Sequence, residues 1–230
     1  WNSVYDFMWY SATYNQWLCV DKYVTVIGVV DYNVQPLVTF NGKLSIQKDG
    51  VTVKNINVNN SDTAAYIGAK DVLIEGCTLV GSNGLYRSYT SGTVTFKNSV
   101  ITGNTYGIHF DGKTGGEIVI EGCTITGWTS FARTITKVTM TGTRFNEGNY
   151  NYIRFYQDAV IEECSFNENM GIDLAVKGEN LTISDSKVDN GKSVVELLNK
   201  YDMLSNEITV DDNKLVIEAA VTADSKTEYY

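Results

Sequence analysis

The chain has 230 residues, 43% of them hydrophobic, and its 27 acidic against 18 basic side chains give a net charge of -9. That apolar content is ample for a packed core and excludes a disordered chain. The acidic balance argues against nucleic acid and anionic membrane as partners, because both attract clustered Lys and Arg. No run of 18 apolar residues occurs, so no membrane-inserted helix is expected.

Taken in order, the chain opens on Trp1, Tyr5, Phe7, Trp9, Tyr10, Tyr14 and Trp17. Two readings of residues 1–23 stand: an aromatic cap over the end of a stack, which an open solenoid requires, and an aromatic platform for sugar. The cap is the expectation. No secretory leader is visible, and a trimmed chain is expected. Val24-Thr-Val-Ile-Gly28, Leu37-Val-Thr-Phe40 and Leu44-Ser-Ile46 read as strands of a first, irregular coil, with Pro36 in a turn between them.

From Val51 the chain repeats itself. Val51-Thr-Val-Lys-Asn-Ile-Asn-Val58 is followed by segments of the same kind starting at Val72, Val94, Ile118, Val138, Ala159 and Leu181, with spacings of 21, 22, 24, 20, 21 and 22 residues. A loose period of this length without helical segments is the mark of a solenoid. Within each repeat the first and third positions are apolar and alternate with exposed ones, which is strand periodicity. The fifth is Asn55, Gly76, Asn98, Gly122, Gly142, Glu163 or Asp185; all but Glu163 readily tolerate a left-handed backbone, so a sharp bend is predicted there. A small inward residue follows (Ile56, Cys77, Ser99, Cys123, Thr143, Cys164, Ser186), then a large one two places on (Val58, Leu79, Ile101, Ile125, Phe145, Phe166, Val188). The exposed fourth position begins Lys54, Glu75, Lys97, Glu121, so neighbouring coils offer opposite charges. A third strand is predicted at Ala65–Ile67, Leu85-Tyr86, Ile108–Asp111, Phe131-Ala132, Ile153–Tyr156, Ile172–Leu174 and Val195–Leu197.

Three short strands and one asparagine- or glycine-type bend per coil resemble the right-handed parallel β-helix of the pectin-lyase-like superfamily, over about Val24 to Asn199. The expectation is an all-β, right-handed parallel β-helix solenoid of about eight coils, capped at both ends, forming one domain over residues 1–230. Coils occupy 24–199 and a C-terminal cap occupies 200–230, where Glu207–Val210, Asp211-Asp-Asn213 and Lys214–Ile217 read as a hairpin.

The cysteines are expected to be free. Cys77, Cys123 and Cys164 fall in one column but two coils apart, about 9–10 Å, which is beyond disulfide reach. No metal site is expected: the cysteine spacing is not C-x-x-C, and the adjacent Asp211 and Asp212 read as solvated turn residues.

The superfamily resemblance implies a groove along the outer face of one sheet, and composition places it on the third strand. One outward column there reads Tyr66, Tyr86, His109, Ala132, Arg154, Asp173, Glu196; a second reads Gly68, Ser88, Asp111, Thr134, Tyr156, Ala175, Leu198. Tyr66, Tyr86, His109, Asp111, Arg154, Tyr156 and Asp173 are the candidate ligand-binding residues, with a mixed solvated face as the bland alternative. No catalytic residue and no cofactor is assigned. Asp111 and Asp173 stand three coils apart, about 14 Å, too far for a glycosidase pair. Asp173 and Glu196 stand one coil apart at the capped end. Arg154 beside Asp173 faintly echoes the calcium-dependent pectate lyases, and an ion pair explains it equally well. The expected function is a non-catalytic extracellular module of a bacterial surface or secreted protein, adhesin- or stalk-like, monomeric, touching glycan or a host surface weakly. A polysaccharide lyase or glycoside hydrolase and a carbohydrate-binding module are the alternatives.

Overall fold

The computed structural model describes residues 8–12, 15–111, 115–132, 134–174, 181–199, 206–211 and 214–219. The repeating segments stack as eight parallel strands: Thr25–Ile27, Thr52–Lys54, Val72–Glu75, Thr93–Lys97, Glu117–Glu121, Lys137–Thr141, Asp158–Glu162 and Leu181–Ser184. Their register follows the repeat residue for residue, with Val72 beside Val94, Val94 beside Ile118, Ile118 beside Val138 and Ala159 beside Leu181. Eight such strands bound about seven turns of a parallel all-β solenoid, roughly 34 Å long at a strand spacing near 4.8 Å.

The bend at the fifth position closes each turn. Asn55, Gly76, Asn98, Gly122, Gly142, Glu163 and Asp185 all have φ between 47° and 62°. Glu163, the residue least suited by type, adopts the same conformation at 53°. Glycine leaves room where an asparagine precedes it in the stack: a Cβ on Gly76 or Gly122 would meet Asn55 Oδ1 or Asn98 Oδ1 at 2.5 and 2.6 Å and push that side chain aside. The bend keeps the ladder intact, since Asn55 N–H donates to Glu75 O and Asn98 N–H to Glu121 O.

Inside the bend runs a polar seam. Cys77, Ser99, Cys123, Thr143 and Cys164 are buried, and each Sγ or Oγ donates to the carbonyl two residues earlier in its own coil. The hydroxyls also accept from the coil before them: Cys77 N–H reaches Ser99 Oγ at 3.1 Å, Cys123 N–H reaches Thr143 Oγ1 at 3.3 Å, and Cys164 N–H reaches Ser186 Oγ at 3.0 Å. Beyond the seam lies the aliphatic and aromatic core, with Phe145 stacked on Phe166 at 5.4 Å and Phe131 on Phe155 at 6.1 Å. Lys54–Glu75 and Lys97–Glu121 pair on the outside at 2.6 and 3.0 Å. All four cysteines are free.

The second and third strands depart from the simple three-strand coil. In the middle turns they fuse into single long strands, Thr78–Ser88, Val100–Phe110 and Thr124–Phe131, with register shifts where the chain turns the corner. Four predicted column positions change along this sheet. Thr129, not Phe131, stands beside Ile108, so Ser130 takes the outward slot assigned to Ala132. Arg87 adopts φ 50°, which carries Ser88 into the core beside Phe110, where its Oγ accepts the Ile67 N–H; Ser88 therefore leaves the outward column. Glu196 lies in a short 3-10 helix, Val194–Leu197, and Asn199 stands beside Asp173 in its place. Leu198, placed outward in the sequence reading, pairs with Ile172 and is buried. Arg133 and Ala175 lie outside the described residues.

The ends differ. At the start, Met8–Ala12 and Asn15–Val20 form an antiparallel hairpin that continues the third-strand sheet through Lys43–Ile46. Trp1, Tyr5, Phe7 and Tyr14 of the expected aromatic cap lie outside the described residues. At the far end, Asn206–Asp211 and Lys214–Ala219 form the expected hairpin, and its second strand runs antiparallel on Leu181–Ser184. Asp212 lies outside the described residues.

Candidate functional site

The third-strand face gathers its polar and aromatic side chains into one column. Arg87 stands over the Tyr86 ring at 5.2 Å. Tyr86 stacks on Tyr106 at 4.9 Å and 27°, and Tyr106 stacks on Trp128 at 5.1 Å and 20°. Arg154 closes the column over Trp128 at 5.2 Å and donates to Asp173 Oδ2 at 3.0 Å through an NH2 group and at 3.3 Å through Nε. Near-parallel rings at a strand spacing place each ring's face against its neighbour, which is the offset-stacked arrangement that aromatic quadrupoles favour. Cations at both ends sit where the negative ring faces attract them. Tyr150 leans on Trp128 at 5.9 Å and is exposed.

His109 sits beside this column, 5.1 Å from Tyr86 and 4.6 Å from Tyr106. Its Nδ1 accepts the Arg87 N–H at 3.3 Å, and its Nε2 lies 3.7 Å from Asp111 Oδ1. Burial lowers the His109 pKa; Asp111 works against that shift and Arg87 adds to it. The imidazole is therefore neutral at pH 7, with the acceptor role of Nδ1 leaving the proton on Nε2 toward Asp111. Burial also raises the Tyr106 phenol, helped by Tyr86. At Arg154 burial opposes the charge, but hydrogen bonds to Asp173 and Tyr156 outweigh it and the guanidinium is held protonated.

Of the seven candidate residues, the structure brings six into this run of turns. Tyr86, His109 and Asp111 lie at one end, and Arg154, Tyr156 and Asp173 at the other. Tyr66 stands apart, edge-on to Tyr89 at 6.1 Å with Lys43 at 5.6 Å from its ring, and burial raises its phenol pKa. Asp173 is buried, contrary to its placement on a solvent-facing column, because Arg154 folds over it. Asp111 and Asp173 remain three strands apart through His109, Ser130, Arg154 and Asp173, in accord with the spacing expected.

Sequence reasoning missed Tyr106, Trp128 and Tyr150. Tyr106 precedes the inward Ile108 by two residues, as Asn83 precedes Leu85, and Asn83 and Tyr106 are in register. Trp128 precedes Thr129 by one, because this turn lacks the glycine that Gly84 and Gly107 supply. Counting back from each inward third-strand residue, with one position of slack, would have found the column.

The profile of the "Right handed beta helix region" family matches residues 83–228, more than half of the chain. The chain belongs to the right-handed β-helix family. No curated protein and no solved structure matches it. The β-helix itself thus fixes where the column stands, and the chemistry must be read from the column's own contacts. Among the described residues no group of three His, Cys, Asp or Glu side chains is arranged to hold a metal. A shallow groove of about 200 Å³ lies across the adjoining turn, lined by Asp49, Gly68, Lys70, Tyr89 and Ser91, and does not reach the column.

Proposed function

We propose that this β-helix is a non-catalytic module of a surface or secreted protein, a stiff spacer that holds whatever it joins at a fixed distance and makes at most weak contact with glycans. The observation that carries this reading is the closed pairing of the column. Ring faces that would stack on a sugar are covered by other rings or by Arg87 and Arg154, and the Arg154 charge is committed to a buried Asp173. Acid–base chemistry needs a proton donor and acceptor converging on one reacting atom. His109, 3.7 Å from Asp111, has its imidazole packed beside the stacked rings of Tyr86 and Tyr106.

An extracellular place is supported by the acidic balance, which keeps a long solenoid soluble. Weak glycan contact falls to the exposed rings Tyr150 and Tyr152 beside the column. Product assays on pectate, alginate and glycosaminoglycans, with and without calcium, are expected to give no turnover, and a glycan array only weak binding. Turnover lost in Arg154→Ala or Asp173→Ala would replace this reading with a lyase or hydrolase. Antibody labelling of intact producing cells tests the location.

A further inference from the structure

One backbone amide in the column is held by a side chain that can lose its free lone pair. Along the fused strand Thr78–Ser88, Leu85 stands beside Ile108 and Ser88 beside Phe110. Two residues, Tyr86 and Arg87, therefore face the single residue His109, which makes a β-bulge, rare in a parallel sheet. The bulge puts Arg87 at φ 50°, a left-handed conformation that a residue with a Cβ disfavours. His109 Nδ1 accepts the Arg87 N–H at 3.3 Å, so a side chain, not a ladder carbonyl, receives this amide. Inward, the same corner carries Ser88 into the core, where its Oγ accepts the Ile67 N–H at 2.9 Å. Outward, it sets the Arg87 guanidinium over the Tyr86 ring at 5.2 Å.

Nδ1 can accept this bond only while it carries no proton. An imidazolium has a proton on both nitrogens, so Nδ1–H would confront Arg87 N–H, donor against donor. The same proton sets a second positive charge beside the Arg87 guanidinium. Both changes drive Arg87 away from the ring. We propose that His109 is a proton-released latch: the neutral ring pins Arg87 in the bulge and keeps its guanidinium on Tyr86, and protonation frees Arg87 and bares that face of Tyr86.

Among the described residues the groups that face the imidazole are few. The preceding strand supplies Tyr86 and Arg87, and its own turn supplies Tyr106 and Asp111. The following strand sets Ser130 alongside, with Arg154 one strand further on. Lys113 and Arg133 lie outside the described residues. Burial is the largest influence on the His109 pKa and lowers it from 6.5; Asp111 favours the proton and Arg87 opposes it. The folded protein therefore takes up this proton at a lower pH than the unfolded chain does. The latch is closed above pH 6.5 and opens as pH falls below that value, and its contribution to stability is lost in the same direction. His109 is the only histidine, so no other imidazole titrates in that window.

Nuclear magnetic resonance on the full chain from about pH 7.5 to about pH 5 tests this. The His109 ring is expected to titrate below 6.5. Across its midpoint the protection of the Arg87 amide against hydrogen exchange is expected to fall about tenfold or more, while the amides of Thr93–Lys97 stay protected. The Overhauser contact between the Arg87 side chain and the Tyr86 ring is expected to vanish over the same range. His109→Asn supplies an acceptor oxygen that does not titrate, and it is expected to keep the Arg87 amide protected throughout. Asp111→Asn removes the carboxylate that favours the proton, and it is expected to move the His109 midpoint and the loss of Arg87 protection to lower pH together. An Arg87 amide equally protected on both sides of the midpoint overturns the proposal, as does a loss that stays in place when Asp111→Asn moves the midpoint. Exchange that rises throughout Thr93–Lys97 at the same pH also overturns it, because acid then loosens the whole coil and not a latch.

Discussion

Arg154 stands over the Trp128 indole at 5.2 Å while bonding the buried Asp173 carboxylate at 3.0 Å. One side chain thus closes an aromatic column and neutralises a charge in the adjacent turn. Removing it exposes both dependencies. Arg154→Leu is expected to cost about 2–4 kcal/mol, below the largest buried-pair values because the guanidinium is partly solvated. Adding Asp173→Asn should recover at least half of that loss in a denaturant titration. A double variant no better than the single one would show that Asp173 does not depend on the pair.

The polar seam gives a graded series. Cys123→Ser places at 123 the residue type already found at Ser99 and Ser186, and little loss is expected. Thr143→Val keeps the shape but leaves Cys123 N–H without its acceptor, at about 1–3 kcal/mol. Ile125→Ala opens a cavity under full burial, at about 2–5 kcal/mol. Melting temperatures should fall in that order, and equal losses would contradict the inward columns.

The thiols link this seam to pH. Burial raises Cys123 and Cys164 from 9.0 to about 11. The unfolded chain therefore releases these protons first, so their contribution is complete below pH 9 and is lost as pH climbs from 9 toward 11. Stability measured across that window should fall less steeply in Cys123→Ser and Cys164→Ser than in the wild type. In unfolded, unreduced protein four thiols should titrate; in the folded protein Cys19, the one not fully buried, should react first.

Glu163 offers a stabilising change. Its φ of 53° is the conformation that glycine adopts at Gly76, Gly122 and Gly142. Glu163→Gly removes a Cβ clash on the order of 1 kcal/mol, partly offset by the entropy of glycine in the unfolded chain. A small rise in melting temperature is expected, and a fall would mean that the exposed Glu163 side chain stabilises the turn in some other way.

How far the sequence could be read depended on how regular each strand was. The first strand of each repeat carries two buried apolar residues at a spacing of two, and its register was legible to the residue, as Val94 between Val72 and Ile118 shows. The bend was equally plain, because a left-handed backbone restricts residue type. The third strand was harder. Thr129 and Ser88 occupy core positions as polar residues satisfied locally or tolerated by packing, so an apolar count slides past them. The left-handed Arg87 then shifts the phase within a single strand. Arg154 and Asp173 kept their predicted register, since they sit on strands without a shift, while Trp128 was lost with its turn.

The seam also bears on how such a chain can change length. Sulfur alternates with oxygen along it, Cys77, Ser99, Cys123, Thr143, Cys164, and that alternation holds the thiols two strands apart. Solenoids gain and lose material by whole repeats, since each turn contacts only its neighbours. Excising the turn that carries Ser99 would leave every hydrophobic column in phase, yet bring Cys77 directly against Cys123 at about 4.8 Å, within bonding range under oxidising conditions. Excising two adjacent turns together would not. The cysteine pattern thus makes the Ser99 and Thr143 turns, and not the cysteine-bearing ones, the turns that this rod cannot lose singly without acquiring a covalent staple.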